Sequence, residues 1–267
     1  MQLFHLLAWI IPFSVCRAAD SIPIAPAPWN LTVAEGYVFI VAPPLSPAFL
    51  PPGFANPLEA PVLRPGVILP DIGLILVVRY TAGPVGAYNE LIYIPGRWAY
   101  NLTDSGLRIT QIYVSTNASV FNGRTKWNIP KHLAEFDFDD ATDGSTTVTV
   151  SPPGDSANAH FRAKFTPATG PIPVQVNTTI TGDYLTLIQP ALPASPTNPV
   201  EVGTSTWQQL LLGVKSETLA ASVISGALPG GKIGNGIGYP DIQPLLSIGA
   251  KLSGTLIFPV PEALHAI

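Results

Sequence analysis

The clearest pattern along the chain is a series of short apolar runs separated by turn residues. Residues 37–42 (YVFIVA) and 73–80 (GLILVVRY) are continuous apolar stretches, the form taken by strands covered on both faces. Residues 87–96 (AYNELIYIPG) read as a strand ended by Pro-Gly, and 107–116 (LRITQIYVST) as a β-branched, alternating strand. Further strands are predicted at 145–151, 158–166, 172–179, 182–188, 205–214 and 252–259. Many short strands between turn signals predict a sandwich or barrel. Helices are expected to be few and short, around 131–136 and 242–251. The glycines of 226–238 read as an irregular loop, without the GxGxxG or GxxxxGK[ST] spacing of a phosphate-binding loop. No internal repeat or linker divides the chain.

Composition sharpens this picture. The 267 residues include 30 prolines, which work against long helices because each interior proline costs a helix about 3 kcal/mol. Proline-rich segments across residues 20–70 suit extended wrapping of a core. Charged residues make up 11% and the net charge is −4, with no basic patch; this argues against a nucleic-acid partner. The first 20 residues are apolar from Leu3 to Val15 and then turn small and polar, as in a secretory signal peptide covering residues 1–18. That stretch is too short to span a membrane comfortably, so no stable membrane insertion is expected. Sequons at Asn30, Asn101, Asn117 and Asn177 fit a secreted or luminal glycoprotein. The lone cysteine, Cys16, falls in the leader, so a single domain spanning 19–267 would hold together without disulfides.

Two residues suggest chemistry. Alternation in 87–96 puts Tyr88, Glu90, Ile92 and Ile94 on one strand face. A carboxylate there is costly to keep charged if buried, and such a group can pass protons. Lys131 follows a proline and is flanked by Trp127, Ile129, Leu133 and Phe136. A desolvated amine can attack a carbonyl and form a Schiff base. By residue type alone, the plainer readings prevail: Glu90 as a strand-edge residue facing water, and Lys131 as a surface loop lysine. No His, Asp or Glu spacing suggests zinc, and no GxSxG elbow is present. Residues 136–144 (FDFDDATDG) lack the EF-hand pattern and read as an acidic exposed turn, and His160 reads as structural.

The pair acquires meaning from a resemblance. Gly86-Ala-Tyr88-Asn-Glu90, followed by Gly123-Arg124 and, five residues on, Pro130-Lys131, resembles the acetoacetate decarboxylase-like family over about fifty residues. The resemblance implies an α+β, predominantly antiparallel fold: a cone-like closed β-barrel with few short helices. It implies Lys131 as the Schiff-base lysine and Glu90 as its acidic partner. Arg124, His132, Tyr88 and Trp127 become candidates for binding substrate. The expected activity is that of a carbon–carbon lyase acting on a β-keto acid or related carbonyl compound, by decarboxylation or by aldol-type condensation and dehydration. No cofactor or metal is implied, and homo-oligomers are common in the family. Two departures stand out. The decarboxylase has a second lysine where this chain has His132, and it has an N-terminal arginine where 33–39 (VAEGYVF) offers Glu35. The resemblance therefore does not carry over acetoacetate as substrate. A non-catalytic secreted protein that binds a small carbonyl or hydrophobic ligand in an apolar cavity, and a structural cell-surface protein, remain open readings of the same residues.

Overall fold

The computed structural model describes residues 22–101, 104–173, 177–178 and 183–264. The expected leader, with Cys16, lies outside the described residues. In chain order the strands are β1 (Trp29–Val41), β2 (Val67–Leu69), β3 (Gly73–Ala82), β4 (Tyr88–Ile94), β5 (Arg97–Ala99), β6 (Ser105–Leu107), β7 (Gln111–Val114), β8 (Lys131–Leu133), β9 (Glu135–Asp140), β10 (Thr146–Ser151), β11 (Phe161–Pro167), β12 (Thr186–Gln189), β13 (Trp207–Leu211), β14 (Gly213–Gly226), β15 (Ile248–Phe258) and β16 (Glu262–Leu264). The α-helices among the described residues are α1 (Ala60–Leu63) and α2 (Asn117–Trp127).

Ten strands form one sheet in the order β8-β7-β4-β3-β1-β15-β14-β11-β10-β9, and six short ones form a second, β16-β13-β12-β6-β5-β2. Neighbours are antiparallel except β7–β8 and β6–β12. The two ends of the large sheet, β8 and β9, are separated in sequence by Ala134 alone. The Ala134 N–H donates to the Val114 carbonyl at 3.0 Å, so the sheet curls into a nearly closed, cone-like barrel. This is the α+β, predominantly antiparallel architecture that the resemblance implies.

Two apolar clusters lie on opposite faces of this sheet. The first takes Tyr37 and Phe39 from β1, Val77 from β3, Tyr93 from β4, Val148 from β10, Phe165 from β11 and Ile224 from β14. Strands from all round the ring contribute, so this cluster fills its inside. The second takes Leu31, Tyr80, Tyr88, Ile112 and Phe258 from the other face, with Val120 and Trp127 of α2 and Leu187 and Leu210 of the small sheet. Strand β1 serves both clusters because its register slips between Val33 and Gly36. Strand β4 is buried on both faces apart from Asn89, which is why its sequence shows no solvent side.

Four expectations need correction. Residues 131–136 form β8 and the start of β9, and 242–251 run into β15; neither is helical. Neither of the helices that do form, α1 and α2, was predicted. The residues at 136–140 belong to β9: Phe136 and Phe138 pack inward against the first cluster while Glu135, Asp137 and Asp139 stay exposed. Within 172–179, Ile172 and Asn177 make isolated bridges to Leu219 and Lys215, and residues 174–176 and 179 lie outside the described set.

Candidate active site

Helix α2 lays the roof of the site. The Thr116 hydroxyl accepts from the Ser119 N–H at 3.3 Å and starts the helix, and Asn128, at φ 55°, ends it in the left-handed region where asparagine is tolerated. Asn122 ties the helix to the segment before β1: its Oδ1 accepts from Ala25 N–H and its Nδ2 donates to the Pro23 carbonyl, both at 2.8 Å. Beneath the helix, β8 pairs with β7 so that Lys131 stands opposite Ile112, and β4 pairs with β7 so that Glu90 stands opposite Val114.

This register brings the two residues together. Lys131 Nζ lies 2.7 Å from Glu90 Oε2 and donates to Ser119 Oγ at 3.0 Å. Tyr80 OH donates to the other carboxylate oxygen, Oε1, at 3.0 Å. The amine also sits over the rings of Tyr88 and Phe258, 5.1 and 5.8 Å from their centroids. Lys131 is 1% exposed and Glu90 is fully buried. Burial, and then the charge of Glu90, push the Tyr80 and Tyr88 hydroxyls well above the ordinary tyrosine range, so both stay protonated. Gly123 makes the approach possible: a Cβ there would meet Lys131 Cδ at 2.5 Å and Cε at 2.8 Å.

The remaining candidates have other partners. Alternation turns His132 to the opposite face from Lys131, beside Tyr113. Its Nε2 meets Glu59 Oε2 and its Nδ1 meets Glu201 Oε1, each at 2.9 Å. Burial alone would disfavour the imidazolium, but the hydrogen bonds and charges of Glu201 and Glu59 outweigh it and raise the His132 pKa. Arg124 pairs with Glu59 Oε1 at 2.7 Å and donates to the carbonyls of Val202 and Pro193. Trp127 donates to the Pro259 carbonyl at 2.7 Å and meets Trp29 edge to face at 4.9 Å. Arg124 and Trp127 thus anchor α2, whereas Tyr88 borders the amine directly. Ser119, Tyr80, Glu59 and Glu201 were not singled out in the sequence; Glu59 and Glu201 lie 73 and 69 residues from His132, beyond the reach of any local pattern. Among the described residues, no group of three or more His, Cys, Asp or Glu is arranged to hold a metal, and no helix is long and apolar enough to cross a membrane.

No family model matches the chain, and no curated protein matches it. Solved structures do. Acetoacetate decarboxylase from Legionella pneumophila superposes with a TM-score of 0.57 at 14% identity, over 95% of this chain and 93% of that one. The enduracididine biosynthesis enzyme MppR, complexed with pyruvate, gives 0.54 at 13% identity over 97% and 99% of the two chains. An acetoacetate decarboxylase-like enzyme from Sphingomonas wittichii RW1 gives 0.54 at 12% identity over 97% and 100%. At these identities the likeness is one of fold, and it covers nearly the whole length of each chain: this protein has the acetoacetate decarboxylase fold.

Proposed function

We propose that the protein is a Schiff-base enzyme whose nucleophile is Lys131 and whose proton carrier is Glu90. The observation that carries this reading is a primary amine sealed from solvent 2.7 Å from a carboxylate, under a helix with a glycine where a side chain would meet the lysine stem. Attack on a carbonyl needs the neutral amine, and Glu90 Oε2 is placed to take the Nζ proton. The carbinolamine then loses water, with Glu90 returning a proton to the departing oxygen, and an iminium forms on Nζ. In a β-keto acid the iminium accepts the electron pair of the breaking carbon–carbon bond, carbon dioxide leaves and an enamine remains. Protonation at carbon and hydrolysis release the ketone and restore the amine. With another carbonyl compound, the iminium instead gives up an α-proton to Glu90, and the enamine so formed attacks an aldehyde, whose oxygen takes up the proton. The MppR structures, which hold pyruvate and the condensation product of pyruvate and imidazole 4-carboxaldehyde, support including condensation. Because Lys131 is 1% exposed, substrate reaches Nζ only if the residues that cover it move aside.

The leader pattern and the four sequons support reading it as a protein of the secretory pathway, and the exposure of Asn30 and Asn117 is compatible with glycans there. Residues 19–267 are read as one domain, supported by a ten-stranded sheet that draws on residues 29 to 258.

The test is borohydride trapping with a panel of β-keto acids, ketones and pyruvate, read by intact mass. An adduct that maps to Lys131 and vanishes in Lys131→Ala is expected, and its mass gives the substrate class. A second reading rests on the ion pair itself: a lysine sealed against a carboxylate can also be purely structural, in a protein that binds ligands without reacting. Failure of every carbonyl compound to trap, under conditions that trap a lysine aldolase, selects that reading.

A further inference from the structure

A groove of about 880 Å³ lies on the outer face of β9, β10 and β11, away from β4, β7 and β8, which carry the amine site. Strand register sets its floor. Thr149 stands opposite Asp137 on one side and opposite Arg162 on the other, so the three form one row across the sheet. Their chain neighbours Phe136, Val148, Val150 and Phe161 pack into the barrel, so the row points outward. The walls are the loop 152–160 and the glycine-rich segment 226–238, and Asn235 ties one to the other. Its Nδ2 donates to the Ala159 carbonyl at 3.2 Å and its N–H to the His160 carbonyl at 2.9 Å. Its Oδ1 accepts from the Ile237 and Gly238 N–H groups, both at 2.8 Å. The groove is thus formed before any ligand arrives, as binding sites for small molecules usually are.

Asp137 and Arg162 are both exposed, both border the groove, and neither side chain has an ion-pair or hydrogen-bond partner. For an arginine of this chain that is exceptional. Arg64, Arg79, Arg97, Arg108 and Arg124 each hold a carboxylate or a backbone carbonyl; among the described residues, Arg162 alone of the arginines does not. The Thr149 hydroxyl between the two charges is also unbonded. The other charges at the groove have partners: Glu135 accepts from the Gly154 N–H at 2.8 Å, and Lys232 meets Asp241 at 3.7 Å. Acid therefore runs along β9, and base along β11 and the glycine-rich wall. Two strand spacings of about 4.8 Å put Asp137 and Arg162 about 10 Å apart. A ligand meeting both through contacts of about 2.8 Å needs about 4 Å or more between its own charged atoms. An α-amino acid, with only two bonds from nitrogen to carboxyl carbon, is too short; a dipeptide, longer by about 3.5 Å, reaches.

We propose that this groove binds a short peptide with free termini, a dipeptide or slightly longer, its ammonium on Asp137 and its carboxylate on Arg162. The Thr149 hydroxyl meets the peptide group between them. Leu228 and Ile237, the latter 80% exposed at the rim, give an apolar side chain a surface to lie on. The site shares no residue with the amine site, and Lys131→Ala should bind the same peptides; a failure of the Schiff-base reading leaves it untouched.

Glycyl-leucine, its N-acetyl form, its C-terminal amide and free leucine make a matched probe set: both charges, anion only, cation only, and both charges too close together. Titrations of the full chain, followed by the backbone amide NMR signals of residues 226–238, give the four affinities. Saturable binding of glycyl-leucine is expected, with each of the other three at least about fivefold weaker, since each loses one charged contact. Both anchoring residues are exposed, so the fold tolerates their replacement. In Arg162→Gln, glycyl-leucine and its amide should bind equally; in Asp137→Asn, glycyl-leucine and its N-acetyl form should. Binding of the acetyl form or the amide as tight as that of the free dipeptide would reduce the groove to a site for one charge. That result, leucine binding as well as the dipeptide, preferences that survive in both variants, or no saturable shift with any probe overturns the proposal.

Discussion

Replacing His132 by leucine tests the charge network behind the site. His132 holds Glu59, which is fully buried, and Glu201, whose side chain is 13% exposed, each at 2.9 Å. In the variant Glu201 can recover water, but Glu59 cannot and keeps only Arg124. Counting the Glu59 contact in full and the Glu201 contact in part, the loss should be about 3 kcal/mol. The pH dependence has a definite sign. Because the folded pKa of His132 lies above its unfolded value of about 6.5, its stabilisation is complete below that value and drains away as pH rises through the folded one. Burial would raise the pKa of Glu201, but His132 and Arg124 outweigh it and hold it below the usual range. Its contribution is therefore present above about pH 4.5 and lost in acid. Urea melts of both proteins at about pH 6 and about pH 9.5 should differ by the full amount at the first and by less at the second, as the histidine gives up its proton. The same difference at both values would refute the charged triad.

Two further outcomes bear on the amine and on localisation. Gly123→Ala puts a methyl 2.5 Å from Lys131 Cδ, so trapping at Lys131 should fall at least about tenfold while the circular dichroism spectrum is retained; unchanged trapping would show that the lysine stem is free to shift. Protein expressed through a eukaryotic secretory pathway should lose mass on N-glycanase treatment, with Asn30→Gln and Asn117→Gln each removing part of that change; no mass change would count against the secreted reading.

What the sequence disclosed, it disclosed where burial is simple. Strands β3 and β4 are apolar on both faces, and their residues say so. Helix α2 hid because the face it buries carries Ser119, Asn122, Gly123 and Arg124, all engaged with specific partners, so no apolar stripe marks it. Its cap residues, Thr116 and Asn128, were the usable signal. Strand β9 looked like an acidic turn because its outward residues are all carboxylates, although Phe136 and Phe138 alternate with them. Strand β14 went largely unseen because its Ser, Thr, Ala, Lys and Glu residues carry no apolar run. The pairing of Glu90 with Lys131 came from the resemblance alone: it depends on two strand registers and a parallel crossover that local pattern does not encode.

The single residue between β8 and β9 has a consequence for the order of assembly. The two ends of the large sheet are neighbours in sequence, yet nine strand pairings separate them within it. The ring thus closes between chain neighbours, and its non-local step is the pairing of β1 with β15, which brings Trp29 beside Phe258, the kind of step that makes β-rich chains slow to fold. Lys131 stands at this seam, on the strand that closes it. Its contact with Glu90 needs only the pairings of β4 with β7 and of β7 with β8, so chains in which these three strands have not yet paired lack it, whether or not the ring is complete.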